Sequence, residues 1–369
     1  MTNKSIVVNY PGRKGAGAVI AYEMTKGLIE NGCRVYAVIA KDIENIERWK
    51  SLNLDKLYLL PTYSNKYNFV TNTLKFWLLD FRKLKRKFAD ITIDTIYVPM
   101  IQPWTPLVNR VFPEAKTIVT VHDPQPHSGS NNRVFNWICS QVPKDADDII
   151  LLSETFRGYS ADKFNKDPSR IHIIPHGRFD FYKHIQTNNA AINYDINKTN
   201  FLFFGRITQY KGLHTLARAY KKLLAQRSDI SLTIVGEGDF SEYEQEYAEL
   251  ENVTIVNRWI KDEEVGTFFT GKNIVTVLPY TDATQSGVIP IAMEYKAVVI
   301  ASYAGGLKEQ IKDRVTGYLF EPKNADDLYR VMSYVCENVR EKEKIIEQAY
   351  EFNNAFDWTT LAKKLIGII

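Results

Sequence analysis

Short β-branched runs alternate along the whole chain with longer segments whose apolar residues recur at helical spacing. SIVVNY is followed by a helix predicted over 16 to 31, then RVYAVIA, a helix over 69 to 89, TIYVP, TIVTVHD, a helix over 130 to 142, DIILLS and RIHIIPHG. In the helix from Ala16, residues Val19, Ile20, Met24, Leu28 and Ile29 repeat every three or four positions, and Asn31-Gly32 stops it. This order of elements predicts βαβ units around a parallel sheet. From Phe179 to Asn200 the chain turns polar and irregular, which reads as a linker. A second series then begins with FLFFGR and continues through SLTIVGEG, VTIVNRW, NIVTVLPY, AVVIAS and GYLFEP. The expected fold is α/β, with two facing Rossmann-like domains over 1–180 and 195–348. Ligands of such sheets lie outside the carboxyl ends of the strands, so the expected site is the cleft between the domains.

Composition narrows the class. A chain of 369 residues, 45% apolar and 24% charged, is too long for one ordinary core and too apolar to be disordered. Cys33, Cys139 and Cys336 are far apart and follow no metal-ligand spacing, so neither a disulfide framework nor a zinc site is expected, and a reducing cytoplasm fits. The apolar run near the start is too short for a signal peptide, and no run reaches membrane-spanning length. The formal net charge of +4 suits anionic small molecules or a lipid surface and does not demand nucleic acid.

Four stretches carry chemistry. In FFGRITQYKGL a strand ends at Gly205, and Arg206 and Lys211 flank a loop before an amphipathic helix, where a diphosphate would meet two cations and a helix start. In NYPGRKGAGAV, the Gly15-Ala16-Gly17 loop allows close approach of backbone to a ligand, but it is not the full dinucleotide fingerprint. In KTIVTVHDPQPH, His122 ends a strand and is the candidate partner of a substrate hydroxyl, with His127 as the alternative. In YTDATQSGVIPIAMEYK, residues Gln285, Ser286, Gly287 and Val288 are expected to present helix-start amides to an anion.

Other features read as ordinary structure. Asp145, Asp147 and Asp148 lie at the amino end of a strand and are expected to be solvated, and Asn324 to Asp327 is expected to start a helix. The segment 69–91 has five basic residues among 82 to 87. It reads first as a sheet-covering helix with a wet basic face, and alternatively as an interfacial patch on anionic lipid at the inner face of the cytoplasmic membrane.

With these stretches in this order, the chain resembles the GT-B retaining glycosyltransferases of glycosyltransferase family 4, bacterial enzymes that build capsule, O-antigen and exopolysaccharide chains. FFGRITQYKG carries the resemblance most strongly, supported by the first glycine loop, VTVHD, IIPHG, TIVGEG and YAGGLKEQI. The resemblance implies that Arg206 and Lys211 bind the donor diphosphate, and that Gly15 to Gly17 approach the diphosphate and sugar. It places His122 on a sugar hydroxyl and lodges the base near Gly236 to Gly238 and Arg258-Trp259-Ile260. It also implies that a final helix, within 349–369, crosses back to the first domain. The implied donor is a UDP- or GDP-sugar, bound without metal or cofactor. The implied acceptor is a glycan or polyprenyl-diphosphate-linked glycan.

One departure stands out. Many family members carry two glutamates eight positions apart, and the corresponding positions here are Ala283 and Ile291. Asp282 is the expected substitute for the first, and Glu294, one helical turn beyond Ile291, the expected ribose partner. A nucleotide-sugar 2-epimerase of the same fold and a non-catalytic nucleotide-sugar-binding subunit remain open on these residues. A nicotinamide dehydrogenase is disfavoured by the incomplete glycine fingerprint.

Overall fold

The structure is a computed structural model and describes residues 4–63, 65–125, 133–185, 192 and 194–369. His127 lies outside the described residues. The chain divides into two compact units. The first takes the chain to Pro124, then on to Pro175, and again Asp357–Ile369; the second contains His176–Phe356.

The first unit is built on a seven-stranded parallel sheet of order β3-β2-β1-β4-β5-β6-β7. Its strands are β1 Ser5–Tyr10, β2 Arg34–Ala40, β3 Lys56–Leu60, β4 Thr95–Val98, β5 Lys116–Val121, β6 Asp148–Leu151 and β7 Ile171–Ile173. The central strands are buried on both faces, which is why they read as unbroken apolar runs rather than as alternation. The edge strand β3 lacks that run. Four of its five residues are only half-buried, and the β-branched signal used to find the other strands is missing from KLYLL. The helix Ala16–Glu30 covers the sheet. The C-terminal helix Trp358–Ile366 packs on it, with Asn31 Nδ2 donating to the Thr359 carbonyl (2.9 Å) and Thr359 Oγ1 to Glu30 (2.6 Å). At Gly27 a Cβ would lie 2.6 Å from the Trp358 carbonyl oxygen, so these two helices meet only because that position is glycine.

The second unit has a six-stranded parallel sheet of order β10-β9-β8-β11-β12-β13. Its strands are β8 Thr199–Phe204, β9 Ile230–Val235, β10 Val253–Val256, β11 Ile274–Leu278, β12 Val298–Ser302 and β13 Tyr318–Phe320. The segment expected to begin the linker belongs to this unit. Phe179, Phe181 and Tyr182 are buried and stack on one another, and Tyr194 donates to the Phe268 carbonyl (2.8 Å). These aromatic residues hold 179–182 and 194 against the domain. As expected, Asn324 caps a helix, Ala325–Glu337, accepting from the amides of Asp326 and Asp327.

Two expectations are corrected. Asp145 and Asp147 are exposed, but Asp148 is buried and receives Lys116 (2.9 Å), His172 (2.9 Å) and Arg170 (3.4 Å). Hydrogen bonds from His172 and Lys116 outweigh burial and hold its carboxyl below the usual range. Lys116 and His172 lie on the neighbouring strands and Arg170 in the turn just before β7, 22 to 32 positions away in sequence, so no local pattern marks the group.

The segment predicted as one helix over 69–89 forms Lys66–Lys75, a π-helical turn Phe76–Asp80, and Phe81–Lys87. Phe76, Asp80, Leu84 and Phe88 are all buried. A four-residue repeat drifts about 40° per step in an ideal α-helix, and the wider turn, in which the Phe81 amide donates to the Phe76 carbonyl, offsets that drift. The outward face is also more apolar than a wet basic helix, because Tyr67, Val70, Leu74 and Leu78 are exposed. Among the described residues no helix is long and apolar enough to cross a membrane.

Candidate functional site

In the second unit the strand order reverses at β8, whose neighbours β9 and β11 continue in opposite directions. In open parallel sheets a ligand binds among the loops that leave the strands at their carboxyl ends beside such a switch point. Gly205 (φ +139°) and Gly236 (φ +143°) close the ends of β8 and β9, and a Cβ on Gly236 would lie 1.9 Å from the Gly205 carbonyl oxygen. Pairing continues past the strands: the Ile207 amide donates to Glu237 O (2.9 Å). Asn257 brackets Gly238, accepting from its amide at 3.2 Å and donating to its carbonyl at 3.0 Å. These contacts set the backbone on either side of Arg206, whose side chain is exposed.

Lys211 ends a 3-10 turn, Gln209–Lys211, and precedes Gly212 (φ +71°) and the helix Leu213–Leu224. Its Nζ lies 3.6 Å from the Tyr280 ring centroid and 4.8 Å from that of Tyr210. The ammonium is thus aimed by two aromatic faces. The Thr281 amide donates to the Tyr210 carbonyl (2.8 Å), tying the turn to the loop after β11.

That loop is braced from below. Ser302 Oγ donates to the Tyr280 carbonyl (2.6 Å), and the Gly306 amide to Ala283 O (3.1 Å). Tyr280 is fully buried and pairs with Ser286 Oγ (3.2 Å); burial pushes its phenol far above the usual value, so it stays neutral. Gln310 accepts from the Ser286 amide (2.8 Å) and donates to its carbonyl (3.0 Å). The Val288 amide donates to Ser286 Oγ (3.3 Å). Two of the four amides expected to meet an anion are therefore engaged by side chains in this structure, so an anion at this helix start would have to exchange with Gln310 or Ser286. Neither Gln310 nor Tyr280 was singled out by the sequence reading. The signal for Gln310 was its place in YAGGLKEQI.

Asp282 lies half-buried in the loop, and Ala283 and Ile291 are core residues. Glu294 is not brought to it. It ends the helix Val288–Glu294, about 9 Å along the axis from Val288. It is buried there, with Oε1 accepting from Lys183 (2.9 Å) and Oε2 from Asn353 (3.3 Å). After β10, Arg258 donates to both Glu264 oxygens (2.9 and 2.6 Å), which raises the guanidinium pKa and lowers that of the carboxyl. Arg258 Nη1 also donates to the Trp259 carbonyl (3.1 Å). Arg258 is thus a strut that sets the Trp259-Ile260 backbone, with the indole 41% exposed.

The first unit has its own group at the strand ends, where the order reverses at β1. The Gly15 amide (φ +78°) donates to Glu44 Oε1 at 2.5 Å, so a carboxylate of the chain itself meets the start of the Ala16–Glu30 helix. Glycine at 17 has a packing cause: a Cβ there would lie 2.5 Å from the Tyr10 hydroxyl and 2.6 Å from Met100 Sδ. His122 follows β5, and its Nε2 lies 2.8 Å from the Pro99 carbonyl. Since a carbonyl only accepts, Nε2 carries the hydrogen. Burial lowers the His122 pKa against the smaller opposing effects of Pro99 and Asp123, so the ring is neutral and Nδ1 is its acceptor nitrogen.

Two family models match: "Glycosyltransferase Family 4" over residues 17–178 and "Glycosyl transferases group 1" over 185–352. The chain is 23% identical over 326 residues to a lipopolysaccharide 1,2-N-acetylglucosaminetransferase of Salmonella typhimurium, covering 81% of this chain and 84% of the relative. A glycosyltransferase from Rickettsia africae superposes with TM-score 0.72 at 18% identity, over 100% of this chain and 98% of that one. Anabaena Alr3699/HepE, solved with UDP-glucose, superposes with TM-score 0.71 at 15% identity, over 99% and 98%. With parallel sheets of seven and six strands and matches over nearly its full length, the chain belongs to the GT-B glycosyltransferases of family 4.

Proposed function

We propose that the chain is a retaining, metal-independent glycosyltransferase that moves a sugar from a UDP- or GDP-sugar to a glycan or polyprenyl-diphosphate-linked glycan in cell-surface polysaccharide synthesis. The supporting observation is the group at the second unit's switch point. There, Arg206 and Lys211 stand on a backbone that only glycine permits at positions 212 and 236. A guanidinium and an aromatic-caged ammonium suit a leaving diphosphate, whose negative charge grows as the glycosidic bond breaks. UDP-glucose bound to Anabaena HepE and the activity named for the Salmonella relative point the same way.

In the proposed step, the bond from the anomeric carbon to the diphosphate oxygen breaks. The acceptor oxygen bonds to that carbon on the same face, and the acceptor's proton passes to the departing phosphate oxygen. Neutral His122, with Nε2–H held by Pro99, offers Nδ1 to a sugar hydroxyl. Gly15 to Gly17 lie along the diphosphate and sugar, and Asp282 and the loop to Val288 complete the donor site. The base rests near Gly236 and Trp259-Ile260.

The test is release of nucleotide from UDP- and GDP-sugars by the purified chain with acceptor and chelator present, followed by NMR of the product anomer. Turnover with retention, lost by at least a hundredfold in Arg206→Ala, is expected. An isomerised donor without acceptor would instead establish an epimerase. Absence of any turnover, with nucleotide binding intact, would leave a binding subunit.

A further inference from the structure

We infer that the Ser286 hydroxyl donates a hydrogen bond to a phosphate oxygen of the donor, and that Tyr280 is the positioning residue that gives Ser286 this role. The inference rests on the diphosphate reading of the second unit's switch point and adds to it a side-chain donor. Tyr280 is fully buried, so bulk water does not satisfy its hydroxyl, and Ser286 is only 4% exposed. Burial raises the Tyr280 pKa, so the phenol keeps its hydrogen. Among the described residues, Ser286 Oγ at 3.2 Å is the hydrogen-bond partner of that phenol. An unpaired buried O–H is costly, so Tyr280 donates and Ser286 Oγ accepts. The Lys211 ammonium, 3.6 Å from the ring centroid, draws electron density from the phenol and favours the same direction. Ser286 Oγ also accepts from the Val288 amide at 3.3 Å. A hydroxyl has two acceptor sites and one hydrogen. Both acceptor sites of Ser286 are therefore filled, and among the described residues none accepts its hydrogen.

Tyr280 also ties this hydroxyl to both cations of the site. Its ring faces Lys211, and a Cβ on Gly205, the residue before Arg206, would lie 3.9 Å from its hydroxyl oxygen. Gln310 occupies the Ser286 amide and carbonyl, so the hydroxyl hydrogen is the donor that Ser286 has left. Using it breaks no hydrogen bond of the chain, whereas an anion on the Ser286 amide would first have to displace Gln310. A phosphate oxygen accepts only, and a hydrogen bond to an anion is about twice as strong as a neutral one. A lone O–H beside two cations therefore matches phosphate better than a sugar hydroxyl, which carries a hydrogen of its own. The bonds from Tyr280 and Val288 into Oγ polarise the serine and strengthen its outward donation.

The experiment is titration calorimetry of the full chain with UDP, GDP and their sugar conjugates, joined to melting curves and phosphorus NMR of the bound nucleotide. Ser286→Ala should weaken binding of the nucleoside diphosphate on the order of tenfold and shift its bound phosphorus resonances. Ser286→Cys, which keeps the bulk and offers only a weak donor, should lose nearly as much. Tyr280→Phe keeps the ring face under Lys211 and removes the phenol, so it should weaken binding about threefold. In the Ser286→Ala background the same change should leave affinity unaltered and restore part of the lost melting temperature, because it removes the phenol that Ser286→Ala leaves unpaired. Affinity within twofold of the parent in Ser286→Ala, with binding abolished in Arg206→Ala, overturns this inference and leaves the glycosyltransferase reading standing. A loss confined to the sugar conjugates also overturns it, since that assigns the hydrogen to a sugar oxygen. So does weaker binding with unchanged phosphorus resonances, which makes Ser286 a purely structural residue. A parent chain that binds no nucleoside diphosphate overturns the diphosphate reading itself, and this inference with it.

Discussion

Gly212→Ala tests whether the Lys211 turn is set by steric contact or by backbone preference. A Cβ at this position would lie 1.8 Å from the Pro279 carbonyl oxygen. The closest ordinary carbon–oxygen contacts are about 3.3 Å, so the turn must retreat from the end of β11 by about 1.5 Å. Adopting φ +71° costs an alanine about 1 kcal/mol. The retreat breaks the hydrogen bond from Thr281 to Tyr210, about 1 kcal/mol, and lifts Lys211 off Tyr280, about 0.5–1 kcal/mol. Together these give about 3 kcal/mol, or a fall of about 6–12 °C in the melting temperature of a unit this size. Displacement of the ammonium by more than about 1 Å should also reduce turnover on the order of a hundredfold. Gly212→Asn separates the causes, because asparagine tolerates a positive φ but still carries the Cβ. Gly32→Ala, at φ +78° with no atom within 4 Å, should cost only about 1 kcal/mol. Calorimetry and denaturant titration measure all three. Recovery of parental stability in Gly212→Asn, or equal losses in Gly212→Ala and Gly32→Ala, would refute the steric argument.

Other outcomes follow from the same contacts. Asp148→Asn leaves three basic groups facing a neutral amide and should cost about 2–4 kcal/mol. Because the folded carboxyl titrates below its unfolded value near 3.9, that contribution is present above about pH 4 and lost as pH falls through the folded value; the variant should show a flatter acid limb in pH-dependent unfolding. His122 titrates below its unfolded value near 6.5, so the folded chain should lose stability as pH drops below about 6.5, and His122→Gln should remove that slope. Glu294→Gln should weaken the Lys183 contact and lower stability by about 1–3 kcal/mol, while nucleotide affinity changes less than threefold. A tenfold loss of affinity by titration calorimetry would return Glu294 to the ribose.

The elements were legible where burial on both faces leaves an unbroken apolar run, as in SIVVNY and NIVTVLPY. They were not legible where a strand is half-exposed, as at KLYLL, or where the helix changes pitch, as at Phe76–Asp80. Within the candidate site, Gly205, Arg206, Lys211 and Gly236 were readable, because a strand end, a glycine and a cation are local in sequence. Partners brought in by tertiary packing were not: Glu44 on the Gly15 amide, Gln310 on Ser286, Glu264 on Arg258 and Lys183 on Glu294 lie 6 to 111 positions away. Glycine carries a further ambiguity that only packing resolves. Gly17 has the same signature whether the close neighbour is a ligand or Tyr10, and here Tyr10 is that neighbour.

The most direct test of the central claim, that the switch point of the second unit holds a nucleoside diphosphate, is a thermal-shift panel of UDP, GDP and ADP with their sugar conjugates. A nucleotide at about a hundred times its dissociation constant stabilises the folded chain by about 2.7 kcal/mol. One nucleotide and its sugar conjugate should therefore raise the transition by several degrees, with the shift abolished in Arg206→Ala and in Lys211→Ala. If no nucleotide moves the transition, or the shift persists in both variants, the assignment of Arg206 and Lys211 is contradicted.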